Sequence, residues 1–244
     1  MTISTVDGSQ RNAARVVGFM YLFAMVTAIT GVYCRSQIIV ADAGQTARNI
    51  VAHEGLFRLS IASELLTSVA DIVLIVALFV VLRPISRGLA LLAASWRVIE
   101  TSILVIATLT SFEVLQLLSG ADYLRGLEAD RLQALARVAI GAHGAAFNVC
   151  FLFLGLGSTV FACLWYRSRY IPRPLAAWGV FASALFVPCT LGIILFPDLA
   201  KIVMPAYWAP LGIFEVTMGF LLLIRGIRSP GAAEPASRAE VAAI

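Results

Sequence analysis

Hydrophobic positions along this chain gather into six long runs separated by polar breaks. The runs cover residues 16–34, 59–82, 89–110, 145–166, 175–196 and 202–224. Each is close to the ~20 residues that a helix needs to cross the apolar core of a bilayer. The breaks carry their own signals. Residues 83–88 (RPISRG) predict a tight turn, because Pro84 bars continuation of the helix before it. Residues 167–174 (RSRYIPRP) predict a second, strongly basic turn. Residues 35–58 read as a polar loop. In the longer connection over residues 112–143, Leu132, Leu135, Val138 and Ala139 share a helical face, which predicts a short interfacial helix. Residues 229–244 are rich in Ala and Pro, have no core to join, and are expected to form a disordered tail. The pattern predicts an all-α, polytopic membrane bundle of six helices, one domain over residues 1–228.

Composition supports lipid as the solvent. The chain has 244 residues, 60% of them hydrophobic and 13% charged, with a mean hydropathy of +0.92. An average soluble domain carries about 25% charged residues. The net charge of +4 is not gathered on one polar segment, so no nucleic-acid partner is expected. Ten of the 18 Lys and Arg residues flank the runs on the side of both termini, and seven flank them on the other side; Arg97 alone lies inside a run. By the positive-inside rule both termini, and with them the tail, are cytoplasmic. The first run is too long for a signal-peptide core of about 7–15 residues, so no cleavable leader is expected. Tyr33 precedes Cys34 where a lipoprotein site needs a small residue. Cys150, Cys163 and Cys189 lie within runs and read as small hydrophobes.

The polar residues inside the runs are the informative exceptions. A charged side chain near the bilayer centre costs about 2.5–3.5 kcal/mol on insertion scales, so it normally pairs or lines a cavity. In the second run Ser60, Glu64, Thr67, Ser68 and Asp71 form one stripe. In the third, Arg97, Glu100, Thr101 and Thr108 share a side. In the sixth, Trp208, Gly212, Glu215 and Gly219 share a face, and the glycines admit a neighbouring backbone. At a rise of about 1.5 Å per residue, Asp71 and Glu100 lie ~16 Å from the cytoplasmic ends of their helices, Glu215 ~14 Å and Arg97 ~12 Å. Four ionisable groups on three helices therefore share one layer near the midplane. One guanidinium cannot compensate three carboxylates, so desolvation favours a proton on at least one acid. Two readings follow: a proton- or cation-binding site, or a helix-locking ion pair with the remaining acids protonated and hydrogen-bonded.

An outer group comprises Glu64, His143 and Asn148, toward the exterior ends of their helices; Glu113, at a similar depth, points away and reads as interfacial. Two dispersed ligands make no metal site. The only lysine, Lys201, lies in a loop, which excludes a Schiff-base chromophore inside a helix. There is no H-E-x-x-H, no G-x-S-x-G and no phosphate-cradling loop, and no cofactor is expected. Gly155 and Gly157 read as helix packing, and Pro188 as a break in the fifth span that frees a carbonyl to line a cavity.

Several of these residues together resemble a known family. They are Arg97-Val-Ile-Glu100 in the third span, His143 opening the fourth, Tyr166-Arg-Ser-Arg-Tyr-Ile-Pro-Arg173 after it, and Glu215-Val-Thr-Met-Gly219, with Leu221-Leu-Leu-Ile-Arg-Gly226 beyond. Over about residues 12–226 the chain resembles the bacterial multi-pass proteins grouped as domain of unknown function 4386. The resemblance places Asp71, Arg97, Glu100, His143 and Glu215 at the family's polar positions and implies a bacterial plasma-membrane location; it names no reaction. Family members often carry Asp after the His, where this chain has Gly144, and a Trp where it has Leu221. The expected partners are the lipid bilayer and a small-molecule or proton ligand. Three functions are open: a small proton- or cation-linked transporter or ligand-binding protein using Asp71, Arg97, Glu100, Glu215, Glu64 and His143; a non-catalytic membrane partner or sensor; and an intramembrane enzyme acting on lipid or quinone with Glu64 and His143 as acid and base.

Overall fold

Every apolar run becomes a helix, because in hydrocarbon only a helix satisfies its own backbone within one segment. The computed structural model describes residues 7–122, 126 and 128–228. Its helices are α1 (Gly8–Ser36), α2 (Ala43–Ala52), α3 (Glu54–Leu82), α4 (Arg87–Leu117), α5 (Ala129–Ser168), α6 (Arg173–Leu195) and α7 (Ala200–Ile224). All but α2 are long and apolar enough to cross a membrane, α7 counted from Ala206. No strand occurs among the described residues. The tail expected over residues 229–244 lies outside them.

Consecutive spans pack side by side: α1 on α3, α3 on α4, α4 on α5, α5 on α6 and α6 on α7, and α7 returns to α1. The spans thus close into a ring. Closure depends on two glycines. A Cβ added at Gly18 of α1 would stand 2.6 Å from Leu223 N and 2.8 Å from Gly219 O. Only hydrogen at both positions lets the two backbones meet. The lipid-facing side is dominated by apolar side chains, with Val26 64%, Ile29 60% and Ile106 59% exposed, and exposed hydroxyls such as those of Ser95, Ser102 and Thr217 bond back to their own helices. The polar stripe of α3 is turned inward, and Ser60, Glu64, Thr67, Ser68 and Asp71 are all buried. Apolar outside and polar inside is the arrangement of a protein dissolved in lipid; the chain is a multi-pass membrane protein.

The end of the bundle that carries both termini is locked by a buried tyrosine. α5 stops at Arg169, whose φ of 58° is left-handed. The chain then turns Tyr170 into the interior, at 0% exposure. Gln10 Nε2 donates to Val81 O at 3.2 Å and to Tyr170 Oη at 3.5 Å, while Arg228 N donates to Tyr170 O at 3.0 Å. The basic turn therefore joins α1, α3 and the segment after α7, beyond the anchoring role that its charges suggest.

Three expectations are corrected. Residues 35–58 are not a loop throughout. Asp42 caps α2 by accepting from Gln45 N at 2.6 Å, and Ile50 buries against Ile38, Phe57 and Ile61. At ten residues α2 is too short to register as an apolar run. Residues 132–139 are not a separate interfacial helix but the first turns of the 40-residue α5. The stripe they bury is Ala136, Ala139 and His143, while Leu135 and Val138 are 47% and 69% exposed. α5 rotates so that His143 faces α3. Finally, Pro188 does not break the fifth span, since α6 runs unbroken through it.

Candidate functional site

Asp71 on α3 lies two turns beyond Glu64, on the same inward stripe. Arg97 of α4 reaches it directly: Nη2 donates to Asp71 Oδ1 at 3.0 Å. Glu100, one turn along α4, has Oε2 3.3 Å from Arg97 Nε. That contact is electrostatic only, because among the described residues Glu100 Oε2 accepts no hydrogen bond and Arg97 Nη1 donates none. Arg97 and Glu100 are each 4% exposed. A buried polar atom left without a partner costs about 1–3 kcal/mol.

Gly157 of α5 makes room for Arg97. A Cβ added there would stand 2.7 Å from Arg97 Cγ, 3.2 Å from Cδ and 3.0 Å from Ala93 O. The aliphatic stem of the arginine fills the place of a side chain on α5, and this fixes where the guanidinium points.

A second cluster forms two turns of α3 away, at the end of the bundle that carries α2. His143 Nε2 pairs with Glu64 Oε2 at 3.0 Å, and Arg35 Nη1 lies 3.5 Å from Glu64 Oε1. Arg35 also donates to Ser111 Oγ at 3.1 Å, and its guanidinium sits 5.4 Å from the Phe57 ring centre. His143 stacks on Phe147 with ring centres 4.7 Å apart. His143 thus finds its carboxylate across the bundle, on α3. Glu113 is exposed and Asn148 half-buried.

Between the two clusters is a cavity of about 410 Å³. Glu64, Asp71, Arg97, Glu100 and Glu215 all line it. Glu215 is half-buried on this wall and makes neither a hydrogen bond nor an ion pair with the described residues. The remaining wall is mostly apolar, with an aromatic cluster in it. Phe151 meets Trp208 edge-on at 4.6 Å and Phe186 at 6.1 Å, and Phe147 lies 5.6 Å from Phe151. A volume of this size suits a small organic molecule. No three His, Cys, Asp or Glu side chains among the described residues are placed to hold a metal ion.

Five of the six residues singled out from the sequence therefore line one interior space, and His143 adjoins it through Glu64. Arg97 touches both Asp71 and Glu100, Glu64 joins His143, and Glu215 faces the cavity alone. The sequence reading missed Arg35, Ser111, Gly157 and the aromatic wall. Arg35 ends an apolar run and looks like any topology charge, yet its side chain is only 12% exposed. Gly157 was legible as a packing residue, but its neighbour was not.

Comparison with known proteins gives one match. The family model described as a domain of unknown function (DUF4386) matches residues 16–226. No curated protein and no solved structure matches the chain. With the match running from the first span to the end of the last, the chain belongs to the DUF4386 family.

Proposed function

We propose that this protein binds a small ligand together with protons in the cavity at the centre of its helix ring, and moves that ligand across the bilayer as a small transporter. The observation that carries the reading is the cavity of about 410 Å³ lined by Asp71, Arg97, Glu100 and Glu215. Ionisable groups near the midplane of a helix bundle are by default candidates for a substrate or ion site, and transporter sites lie at that depth. Glu215, which makes no ion pair or hydrogen bond with the described residues, and the incompletely satisfied Arg97 and Glu100 add support, since a lock between helices would use its groups up. The excess of Lys and Arg around the termini supports a cytoplasmic location for both, and the family resemblance supports the bacterial plasma membrane.

A second reading has its own observation. The 3.0 Å bond from Arg97 to Asp71 joins α4 to α3, as a scaffold pair would in a partner or sensor protein. Infrared difference spectroscopy on the protein in lipid nanodiscs separates the two. The transport reading expects a carboxylic-acid band that titrates between about pH 5 and pH 9 and is lost in one of Asp71→Asn, Glu100→Gln or Glu215→Gln. Carboxyl groups silent over that range, in variants that only melt earlier, would sink it.

A further inference from the structure

Resting on the ligand-binding reading, we infer that the cavity takes a lipophilic organic cation, an ammonium head joined to an aromatic or long apolar body, in exchange for protons. Both kinds of wall favour positive charge. Four carboxylates line the cavity: Glu64 is paired with Arg35 and His143, while Asp71, Glu100 and Glu215 meet the single guanidinium of Arg97. Glu100 is 4% exposed, lines the cavity and accepts no hydrogen bond at Oε2. That oxygen lies 3.3 Å from Arg97 Nε without a hydrogen bond, so it adds negative charge to the wall. Arg97 already spends two of its nitrogens on Asp71 and Glu100. An anion reaching the third would be drawn in among the carboxylates.

The apolar wall includes Phe151, Phe186 and Trp208 among aliphatic side chains, and the faces of aromatic rings carry the negative part of their quadrupole. Ring and carboxylate together are a recognised way to bind an alkylammonium group. The two walls are offset along the bundle. Trp208 precedes Glu215 by seven residues, so the aromatic level stands ~10 Å from the carboxylate level. A ligand of that length would place its head at Glu215 and its body among the rings. The wall also includes Val32, 56% exposed, and Trp208, 37% exposed. The cavity therefore reaches the lipid-facing surface near α1 and α7, a route suited to a molecule that partitions into the membrane.

Charge balance sets the exchange. In low dielectric the unmatched carboxylates cannot all remain ionised without a counterion, so they hold either protons or the cation. One positive charge entering for one proton leaving keeps the cavity's charge constant. Other titratable groups near these carboxylates are Tyr21 of α1, Cys150 of α5 and Glu64 of α3, the last paired with His143 and Arg35.

The test compares three probes sharing one phenylalkyl body: 4-phenylbutyltrimethylammonium, 5-phenylpentanoate and 5-phenylpentanol. Binding to the intact protein in nanodiscs is measured by calorimetry in weakly buffered solution, with protein-free discs as the blank. The expected result is saturable binding of the ammonium probe with proton release, at least about tenfold tighter than the alcohol, and weakened about tenfold or more by Glu215→Gln. Tighter binding of the carboxylate would overturn the inference while leaving a ligand site in place. Equal binding of all three would overturn it too, as would binding of none. The three-probe comparison on the unaltered protein needs no variant to fold. The infrared titration judges the parent reading separately.

Discussion

Gly157 of α5 and Arg97 of α4 occupy one another's space: the arginine's Cγ lies where a Cβ on residue 157 would come within 2.7 Å. A glycine buried in an apolar helix thereby decides the aim of the central cation. Gly157→Ala should lower stability by about 1–3 kcal/mol through overpacking and shift the guanidinium away from Asp71. Gly144→Ala is the control, because nothing lies within 4 Å of a Cβ there; alanine in that helix position should be neutral or stabilising. Thermal melts of the two variants in the same detergent check the contrast. Equal melting temperatures would show that Arg97 yields without cost.

The Arg97–Asp71 bond should behave as a buried pair. Removing one partner leaves an uncompensated charge, so Arg97→Met or Asp71→Asn alone should cost about 3–5 kcal/mol. The double variant should cost less than the sum of the two, because neither charge is then stranded. A double-mutant cycle on unfolding measures this. Strict additivity would mean that the two groups do not depend on each other.

His143 and Glu64 form the other cross-bundle contact, at 3.0 Å. His143→Ala should destabilise by about 1–3 kcal/mol through the unsatisfied carboxylate. His143→Gln keeps an amide near the position of Nε2 and should recover part of that loss. Hydrogen exchange at the α2 end of α3 and α5 reports it: the alanine variant should lose protection there, with the Gln10–Tyr170 end unchanged. Uniform loss along both helices would argue against a local role.

Ring closure rests on Gly18 and Gly219. Gly18→Leu should push α7 off α1 and lower the melting temperature markedly, since a Cβ there already meets backbone atoms of α7 at 2.6 and 2.8 Å. Gly212→Ala should be tolerated, its nearest contact being Met25 Cε at 3.8 Å. If both melt alike, the α1–α7 contact is dispensable.

The sequence by itself determined the spans and the inward faces. Lipid offers no partner for a backbone amide, so six apolar runs had to be six helices. It offers no shelter for a charge, so Asp71, Arg97, Glu100 and Glu215 had to turn toward protein. Short turns at residues 83–86 and 169–172 then made successive helices neighbours. What periodicity does not carry is the angle at which one helix presents its stripe to the next. That angle comes from side-chain volumes distant in sequence: Gly157 yielding to Arg97, Gly18 to Gly219, Ala136 and Ala139 setting the rotation that brings His143 to Glu64. For the same reason α2 and the full length of α5 escaped the sequence reading. Their helical form depends on packing against residues such as Phe57 and Val114, which only the assembled bundle brings near. The cavity is the residue of all these angles together, and only the tertiary structure decided that Glu64, the Arg97 cluster, Glu215 and the aromatic side chains line a single space.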